Sequence, residues 1–561
     1  MPWIPTRHDV RAALGLGIAF ATTTGCSERL AAPIPAAHEE ADAPRRGGTL
    51  RLASLADVRT LDPAGSLDAL AAEAIHLIFA GLVDYDGRAD VVPDLADHWD
   101  VDDEGRTYRF TLRRGVLMHD GQELTAEDVK RSVERSLHPS TPNPNASYFV
   151  GISGYDAYAA GKTEHLAGVE IDGPYVVSFH LNGADATFLP LLAMPTLRPT
   201  CRNATDRYVD TWLPCGAGPF KLEPAGWQRG TRLRLVRHDR YFRPGLPYLD
   251  AVEWTYDMQS LAQRFRFEDG ELDMIHDMTQ ADLTRFLADD RWKPYGAAES
   301  DTSIFGESMN TRMPPFDNVD IRRAVAAAIN RDHYSVLKAA NMTPLSQVIP
   351  SAVPGYDPTF EGQRYDYAVA LEHMRAAGFA FDPSTGKGGW PRPVEYLLYD
   401  QGVVLYTAQI LQQELAKIGI RLELKVVSWP AFLAMRTDPN RAGMALGSWS
   451  MDYPDPSTFF EPLFGSASLA GESTYSSAFY SNPHLDELLA RAHRQNDPAL
   501  RRRLYREANA IVCADAPWAF TFGYHWFDIR QPYVRGFVAH PVWGRDVSHV
   551  WIDRAAPGVQ P

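Results

Sequence analysis

The alternation of apolar and polar residues predicts a protein built from both strands and helices. Thr49 to Ala53 alternates with a period of two residues, as do Thr107 to Leu112 and Arg232 to His238, which favours half-buried strands. Apolar positions three and four residues apart predict helices at Thr125 to Ser136 and at Val319 to Asn330. We therefore expect an α/β fold.

The second half of the chain contains the pattern of a crossover connection. A helical pattern from Val404 to Lys417 leads through Gly419 into a strand pattern from Arg421 to Val427. Such a connection joins parallel strands, so part of the sheet should be parallel. Helices are expected again at His484 to Arg494 and at Pro498 to Val512, and the residues after them return to aromatic, strand-like sequence.

The N-terminus has the layout of an export signal. Arg7 and Arg11 precede an apolar run from Ala12 to Ala21, and small residues follow up to Cys26. The run is too short to cross a hydrocarbon core of about 30 Å. We predict a signal peptide at residues 1–25, and residues 26–46, rich in Ala, Pro and charge, are expected to form a flexible tether. The region resembles the lipobox of bacterial lipoproteins, which implies lipidation of Cys26; ordinary cleavage stays an alternative, because Thr23 stands where that family usually has Leu.

Composition indicates a large folded protein outside the cytoplasm. The 561 residues are 45% hydrophobic and 22% charged, enough for two or three domains with substantial cores. The net charge of −16 repels nucleic acid. Because disulfides persist in an export compartment, Cys201 and Cys215 are the expected pair, whereas Cys513 is expected to pack as a small hydrophobic residue.

The common catalytic and cofactor motifs are missing from the sequence. There is no Gly-x-Ser-x-Gly elbow and no His-Glu-x-x-His pair. Gly161-Lys162-Thr163 resembles the end of a phosphate-binding loop, but Asp156 stands where that loop has its first glycine. We expect no enzymatic activity, no cofactor and no metal site. A glycosidase, which needs only two carboxylates across a cleft, stays open on spacing alone.

One cluster has the composition of a recognition site. Between Gly447 and Pro456, Asp452 is flanked by Trp449 and Tyr453 in what reads as a proline-rigidified loop. Apolar walls that exclude water strengthen the attraction of a carboxylate for an ammonium group. Taken alone, the segment favours an ordinary surface turn, since Asp-Tyr-Pro-Asp-Pro is rich in turn-forming residues.

At this cluster the chain resembles the extracytoplasmic solute-binding proteins, family 5, that serve oligopeptide, dipeptide and nickel importers of the ABC type. Several other segments resemble that family in the same order along the chain. They are Gly47 to Arg51, Thr60 to Pro63, Phe79 to Val83, Pro93 to Trp99, Tyr108 to Val116, Leu124 to Val129, Gly216 to Leu222, Gly270 to Asp273, Asn310 to Phe316 and Arg322 to Ile329. The likeness spans residues 47–554.

The resemblance implies a two-lobed periplasmic-binding-protein type II (venus-flytrap) fold with an extra domain inserted in the first lobe. Chain crossings are expected near residues 296 and 521. The expected first lobe, called lobe 1 below, comprises residues 47–92, 205–295 and 521–561. The inserted domain comprises residues 93–204, and lobe 2 comprises residues 296–520. Closure of the lobes around a ligand is then the expected functional motion.

The resemblance also implies a ligand site between the lobes. In peptide-binding relatives an aspartate in the tryptophan-containing loop pairs with the peptide's α-ammonium group, and the matching residue is Asp452. The expected ligand-binding residues are Trp449, Ser450, Met451, Asp452 and Tyr453 from lobe 2, with Ser66, Leu67 and Asp68 from lobe 1. Some oligopeptide binders carry an acidic residue where this chain has Leu67.

The resulting expectation is a monomeric binding protein, in the periplasm or at the cell surface and anchored by lipid at Cys26. It would deliver a small peptide or another amine-bearing solute to an ABC permease in the cytoplasmic membrane. The alternatives are a non-peptide ligand such as a metal chelate, an opine or an oligosaccharide, a sensory binding protein, and a secreted hydrolase.

Overall fold

The computed structural model describes residues 30–34, 43–66, 69–202, 213–299, 301–337, 341–400, 402–469, 475–524 and 526–553. Within these ranges, every helix is too short or too polar to cross a membrane. The predicted signal peptide and the lipidation expected at Cys26 fall outside the described residues.

The chain up to residue 299 alternates short strands and helices. In order they are β1 (Thr49–Ala53), α1 (Ala69–Ile78), β2 (Val83–Tyr85), β3 (Val91–Pro93), β4 (Ala96–Asp102), β5 (Thr107–Leu112), α2 (Ala126–Leu137), α3 (Tyr155–Ala159), β6 (Val169–Ile171), β7 (Val176–His180), α4 (Phe188–Ala193), β8 (Phe220–Gln228), β9 (Arg232–Arg237), β10 (Ala251–Thr255), α5 (Ser260–Glu268), β11 (Met274–Ile275), α6 (Gln280–Ala288) and β12 (Gly296–Ala298).

The rest of the chain contains longer helices. In order the elements are β13 (Ser303–Met309), α7 (Val319–Ala328), α8 (Asp332–Leu337), β14 (Met342–Pro344), α9 (Tyr367–Ala376), β15 (Phe381–Asp382), β16 (Lys387–Gly388), β17 (Val394–Tyr399), α10 (Gly402–Ala416), β18 (Leu422–Val427), α11 (Trp429–Arg436), β19 (Met444–Ser450), α12 (Ser457–Phe464), α13 (Pro483–His493), α14 (Pro498–Asp515), β20 (Trp518–Tyr524), β21 (Phe527–Arg530), β22 (Val534–Arg535) and β23 (Trp551–Ile552).

Lobe 1 is organised around a four-stranded sheet with the order β1-β10-β9-β8. Strand β1 pairs parallel with β10, and β9 is antiparallel to both β10 and β8. The alternation that predicted β1 is explained by its burial, because Leu50 and Leu52 are buried in the same hydrophobic cluster as Ile75 of α1 and Trp254 of β10.

The inserted domain has its own antiparallel sheet and core. Its strand order is β4-β5-β7-β6, and Phe110, Val129 and Phe179 lie in one buried cluster. Leu82 and Val83 belong to that cluster as well, so the packing of this domain begins before residue 93, where the sequence places its boundary.

Lobe 2 is organised around a six-stranded mixed sheet with the order β14-β20-β13-β19-β17-β18. Strand β17 pairs parallel with both β18 and β19, while β13 is antiparallel to β19 and β20. Helix α10 connects β17 to β18, which is the crossover that the sequence predicts. The carboxyl ends of β17, β18 and β19 therefore lie along the same edge of this sheet.

The chain passes twice between the lobes through a three-stranded sheet with the order β11-β21-β12, here called the hinge sheet. Strand β21 is antiparallel to both of its neighbours. The first crossing lies at β12, close to the expected residue 296. Strand β20 pairs within lobe 2 as far as Tyr524, so the second crossing lies after that residue and later than residue 521. The architecture is the expected two-lobed α/β fold with an inserted domain.

Part of the predicted tether is packed against lobe 1, which corrects the expectation of a flexible segment. Leu30 is buried, and its carbonyl oxygen accepts a hydrogen bond from Arg291 Nη2 at 3.1 Å. Trp292 Nε1 donates to the carbonyl oxygen of Ala31 at 2.9 Å, and Ile34 N donates to Gln531 Oε1 at 3.0 Å. Leu30 becomes buried and Ile34 partly buried by packing against the lobe, which removes apolar surface from water.

Cys201 and Cys215 form a disulfide with a Cα–Cα distance of 5.4 Å, which is the pair that the sequence suggested. The remaining described cysteine, Cys513, is a free thiol beside hydrophobic residues of lobe 2. Burial raises the pKa of that thiol to about 12, which keeps it protonated and unreactive at neutral pH.

Candidate ligand-binding site

Strand β19 fixes the position of the candidate cluster. It lies between β13 and β17 in the lobe 2 sheet, with Trp449 opposite Ile304 and Ser450 opposite Ser303. Met451 N donates to the carbonyl oxygen of Thr302 at 2.9 Å, which extends the pairing by one residue. The expectation of a loop was therefore wrong for Gly447 to Ser450, and Asp452 stands immediately beyond a central strand.

The small residues that suggested a loop are required by packing. A Cβ atom on Gly447 would lie 2.6 Å from Cη2 of the Trp518 ring, closer than van der Waals contact permits. Trp518 lies in β20 and its indole covers this part of the sheet. Glycine in the middle of a strand marks such close approaches.

The turn after β19 contains two carboxylates with different roles. Asp455 is buried, pairs with the guanidinium of Arg501 on α14, and accepts a hydrogen bond from Ser457 N at 2.9 Å. Asp452 N donates to Thr458 Oγ1 at 3.1 Å, which ties the start of the turn to α12. Asp455 therefore holds the turn in place, while Asp452 is left at the surface of lobe 2.

Asp452 faces the inserted domain across the gap between the lobes. Tyr148, in the turn at Ala146–Phe149, donates from its hydroxyl to Asp452 Oδ2 at 2.8 Å, and Thr458 Oγ1 donates to the same oxygen at 3.2 Å. Among the described residues, both hydrogen bonds go to Oδ2. Oδ1 is thus left for a further donor.

The electrostatic setting of Asp452 favours a cationic partner. The residue is open to solvent within the gap, yet the protein around its carboxylate raises its pKa to about 6. The cause is lost hydration of the charged form, which the hydrogen bonds from Tyr148 and Thr458 only partly offset. An ammonium group placed beside this carboxylate would stabilise its charged form.

Aromatic side chains form the walls around the carboxylate. The rings of Tyr148 and Tyr453 meet edge to face with centroids 5.6 Å apart, and Tyr453 is buried in the core cluster of the inserted domain. Trp449 and Tyr475 meet in the same way at 5.0 Å. Trp449 Nε1 is buried without a hydrogen-bond partner in the part of the chain that the structure describes, which makes it a candidate donor to a ligand.

The lobe 1 residues predicted for the site are only partly described. Ser66 is buried, and its carbonyl oxygen accepts a hydrogen bond from Asn145 Nδ2 at 2.9 Å. Asn145 begins the turn that carries Tyr148, so the Ser66 loop lies beside the residue that contacts Asp452. Leu67 and Asp68 fall outside the described residues. For these three residues a ligand-binding role stays a prediction.

The family model for bacterial extracellular solute-binding proteins, family 5 (middle region), matches residues 90–471. The chain belongs to this family. It is 28% identical over 466 residues to the glutathione-binding protein GsiB of Salmonella choleraesuis, covering 82% of this chain and 86% of that protein. It is 29% identical over 492 residues to di/tripeptide-binding protein 2 of Pseudomonas aeruginosa, covering 83% and 87%.

The fold also matches a solved structure of a binding protein with its ligand. The structure of the periplasmic binding protein DppA from Helicobacter pylori in complex with the peptide STSA superposes with a TM-score of 0.71 at 26% identity. The match covers 91% of this chain and 99% of that one. As a member of family 5, this chain thus has the fold of extracytoplasmic solute-binding proteins over nearly its whole length.

A second contact joins the inserted domain of this family 5 protein to lobe 2. His493 on α13 lies between two carboxylates, with Nε2 3.2 Å from Asp185 Oδ1 and Nδ1 3.2 Å from Glu461 Oε1. Hydrogen bonds to Asp185 and Glu461 raise the pKa of His493 to about 10, so the imidazole is charged at neutral pH. Ala186 N donates to the carbonyl oxygen of His493 at 2.8 Å. The inserted domain is therefore held to lobe 2 at Tyr148 and again at Asp185.

The cavity of about 380 Å³ beside α1 does not coincide with this site. It is bordered by Asp84 and Asp94 and contains none of the predicted ligand-binding residues. Asp94 accepts a hydrogen bond from Arg243 Nη2 at 2.6 Å, and Asp84 Oδ1 lies 3.6 Å from Arg198 Nη2. These two carboxylates are therefore paired within the protein.

Tyr148, Thr458 and Tyr475 are residues of the site that sequence reasoning missed. Thr458 lies six residues after Asp452, at the start of α12. A hydroxyl at the start of a helix could have suggested a hydrogen bond to the preceding turn. Tyr148 lies 304 residues before Asp452, and no pattern in a single sequence connects two such positions.

Proposed function

We propose that this protein binds a short peptide or another amine-bearing solute between its two lobes and delivers it to the permease of an ABC importer. The observation that carries the proposal is the Asp452 carboxylate. It lies in the gap between the lobes, has an oxygen free for a further donor, and is bounded by aromatic rings. These are the features that a buried ammonium group requires.

The relatives support this ligand class. Glutathione and di- or tripeptides, for which two of the relatives are named, all carry a free α-ammonium group. Hydrogen bonds to the ligand's main chain, together with the pair between Asp452 and its ammonium group, would select peptide-like molecules. Water that bridges the protein and the ligand's side chains would allow those side chains to vary. Trp449 also suits stacking against a sugar ring, which keeps an oligosaccharide as the second ligand class to test.

The binding role is proposed to involve no chemistry on the solute. The relatives are solute-binding proteins, and the carboxylate Asp455, the near neighbour of Asp452, is buried in an ion pair with Arg501. Solute recovered intact after prolonged incubation, as judged by mass spectrometry, agrees with this proposal. Cleavage products would instead revive the hydrolase alternative.

The protein is proposed to act as a monomer outside the cytoplasm and to be held at a membrane by a diacylglyceryl group on Cys26. The layout of residues 7–26 supports export, and membership of an extracellular family agrees with it. An intact mass of the mature protein that includes a lipid on an N-terminal cysteine would establish the anchor. A mass that corresponds to an unmodified N-terminus would exclude it.

Calorimetry with matched ligands and variants tests the proposal. Replacing Asp452 by Ala should weaken binding of glutathione or a tripeptide by about 2 to 5 kcal/mol, because a buried ammonium loses its partner. N-acetylation of the same ligand should have a similar effect on the wild type.

The matched control is Asp438→Asn. Asp438 is a surface carboxylate before β19 that pairs with Arg441 at 3.3 Å and accepts a hydrogen bond from Asn440 N at 2.9 Å. This variant should bind like the wild type. Equal affinity of Asp452→Ala and wild type for the free-amine ligand would contradict the proposed role of Asp452.

A further inference from the structure

A histidine and two carboxylates meet on the hinge sheet, away from the candidate ligand site. His276 directly follows β11, Glu299 directly follows β12, and Asp528 lies in β21 between them. The register pairs Ile275 with Ile529 and Ala297 with Asp528. Its continuation sets His276 opposite Asp528, and Glu299, two residues beyond Ala297, points to the same face.

The three side chains are close enough to share one small ligand. His276 Nδ1 lies 3.1 Å from Asp528 Oδ1 and 3.6 Å from Glu299 Oε1. The three potential donor atoms all lie within 4.8 Å of one another. The Trp526 ring covers the imidazole at a centroid distance of 5.0 Å and is itself exposed, so the cluster is near the surface on that side.

Negative charge is in excess at this cluster. Asp528 is 1% exposed, and its Oδ2 has no hydrogen-bond partner among the residues that the structure describes. The nearby Arg545 is paired with Glu73 at 2.9 Å and its charge also acts on Asp528, so Arg545 and His276 together face three carboxylates, those of Glu73, Glu299 and Asp528. Arg545 offsets one of the three charges, and a proton on the imidazole offsets one of the other two. A buried carboxylate without a full complement of partners is costly, and a divalent cation would neutralise the two that Arg545 leaves.

We propose that His276, Glu299 and Asp528 bind a divalent transition-metal ion of the Zn²⁺ type at the hinge between the lobes. An imidazole nitrogen with two carboxylate oxygens suits zinc and its neighbours better than Mg²⁺ or Ca²⁺, which prefer oxygen ligands alone. Water would complete a four-coordinate site. On binding, the metal takes the place of the proton on Nδ1, and that proton is released to solvent.

Because the proposed metal site lies on the hinge sheet, a bound ion should affect the movement of the lobes. One ligand belongs to lobe 1, and the other two belong to the two strands through which the chain crosses between the lobes. A bound ion therefore fixes these strands relative to each other at the pivot of lobe closure. Because coupling between two sites is reciprocal, solute that changes the hinge geometry should change the metal affinity by the same factor that metal changes the solute affinity.

Titration of the tag-free, EDTA-treated protein with zinc chloride tests the site. The wild type should bind one Zn²⁺ at this site in calorimetry and show no comparable binding of Mg²⁺. His276→Gln and Glu299→Gln should each weaken Zn²⁺ binding by about tenfold or more. Thermal unfolding of metal-free samples identifies any variant that fails to fold; because Glu299 is partly exposed, its variant decides the question if His276→Gln is unfolded.

Two controls separate this site from other histidines and from the solute site. His373→Gln removes another imidazole near a carboxylate, at 3.0 Å from Asp320, and should leave Zn²⁺ binding unchanged. Asp452→Ala should also retain Zn²⁺ binding, so a failure of the proposed solute site would not affect this result. Wild-type protein that takes up no Zn²⁺, or a folded Glu299→Gln variant that binds Zn²⁺ like the wild type, would overturn the proposal.

Discussion

At the scale of single residues, Asp452 and its neighbour Asp455 differ in burial and in hydrogen-bond partners. Both lie in one turn, yet Asp455 is buried against Arg501, whereas Asp452 is presented to the gap with one oxygen free of hydrogen bonds from the described residues. The difference arises from position, since Asp452 is the second residue beyond a central strand and Asp455 already faces α14. The same residue type therefore stabilises the turn at position 455 and is proposed to recognise the ligand at position 452.

The raised pKa of Asp452 predicts that solute binding depends on pH. The complex needs the carboxylate ionised, and its pKa in the free protein is about 6. Affinity should therefore be highest near pH 7 and should fall below pH 6 by up to about tenfold for each pH unit, a range in which an α-ammonium group with a pKa near 8 stays charged. Calorimetry of a tripeptide between pH 5 and 8 measures this dependence.

The variant Asp452→Asn provides the control for that measurement. The variant keeps the size of the side chain but has no carboxylate that titrates. It should bind the tripeptide more weakly than the wild type, and its affinity should not fall further below pH 6. A decline of the same size in Asp452→Asn would assign the pH dependence to another group and would contradict the proposed titration of Asp452.

At the scale of elements, sequence patterns predicted what is local. The strands at Thr107 to Leu112 and Arg232 to Arg237 and the helix at Val319 to Ala328 lie within two residues of their expected bounds, because each has one polar and one buried face. The central strand β19 was missed for the opposite reason. It is buried over Met444 to Gly447, so its first residues do not alternate, and Gly447 and Ser448 suggest a loop.

The candidate site shows the same limit. Trp449, Asp452 and Tyr453 are neighbours in sequence; their composition fits a turn as well as a recognition site, and only the resemblance to the family favoured the site. Tyr148 reaches Asp452 only because the inserted domain folds back over lobe 2, and His276, Glu299 and Asp528 meet only because β21 returns between β11 and β12. Long-range pairing of this kind leaves no periodic signal in one chain.

The disulfide between Cys201 and Cys215 predicts a measurable contribution to stability. It closes a loop of about 15 residues, for which the chain-entropy model gives roughly 3 kcal/mol. The double variant Cys201→Ser/Cys215→Ser should therefore unfold at a lower temperature than the wild type in differential scanning calorimetry. Reductant should lower the unfolding temperature of the wild type but not that of the variant.

Cys513→Ser supplies the control for this experiment. This variant lacks the free thiol but keeps the disulfide, so its response to reductant should match that of the wild type. An unfolding temperature of the wild type that does not change when the disulfide is reduced, as shown by thiol titration, would contradict a stabilising role for the cross-link.

At the scale of the whole molecule, the fold consists of two lobes, each built around its own sheet, and a hinge sheet between them. The two sheets of lobe 1 and lobe 2 hold their residues firmly, and only the hinge sheet connects them along the chain. The inserted domain reaches lobe 2 through polar contacts of Tyr148 and Asp185 and through the packing of Tyr453 in its hydrophobic cluster. Opening the lobes would break these contacts, while the hinge sheet would keep the lobes joined along the chain.

A crystal structure of the protein with a bound tripeptide or glutathione would show directly whether Asp452 binds the ammonium group of the ligand between the lobes. We expect the ligand to lie between the lobes, beside Tyr148 and Trp449. Its α-ammonium nitrogen should be about 2.7 to 3.2 Å from a carboxylate oxygen of Asp452. A ligand bound outside the gap, or one whose ammonium group points away from Asp452, would contradict the account.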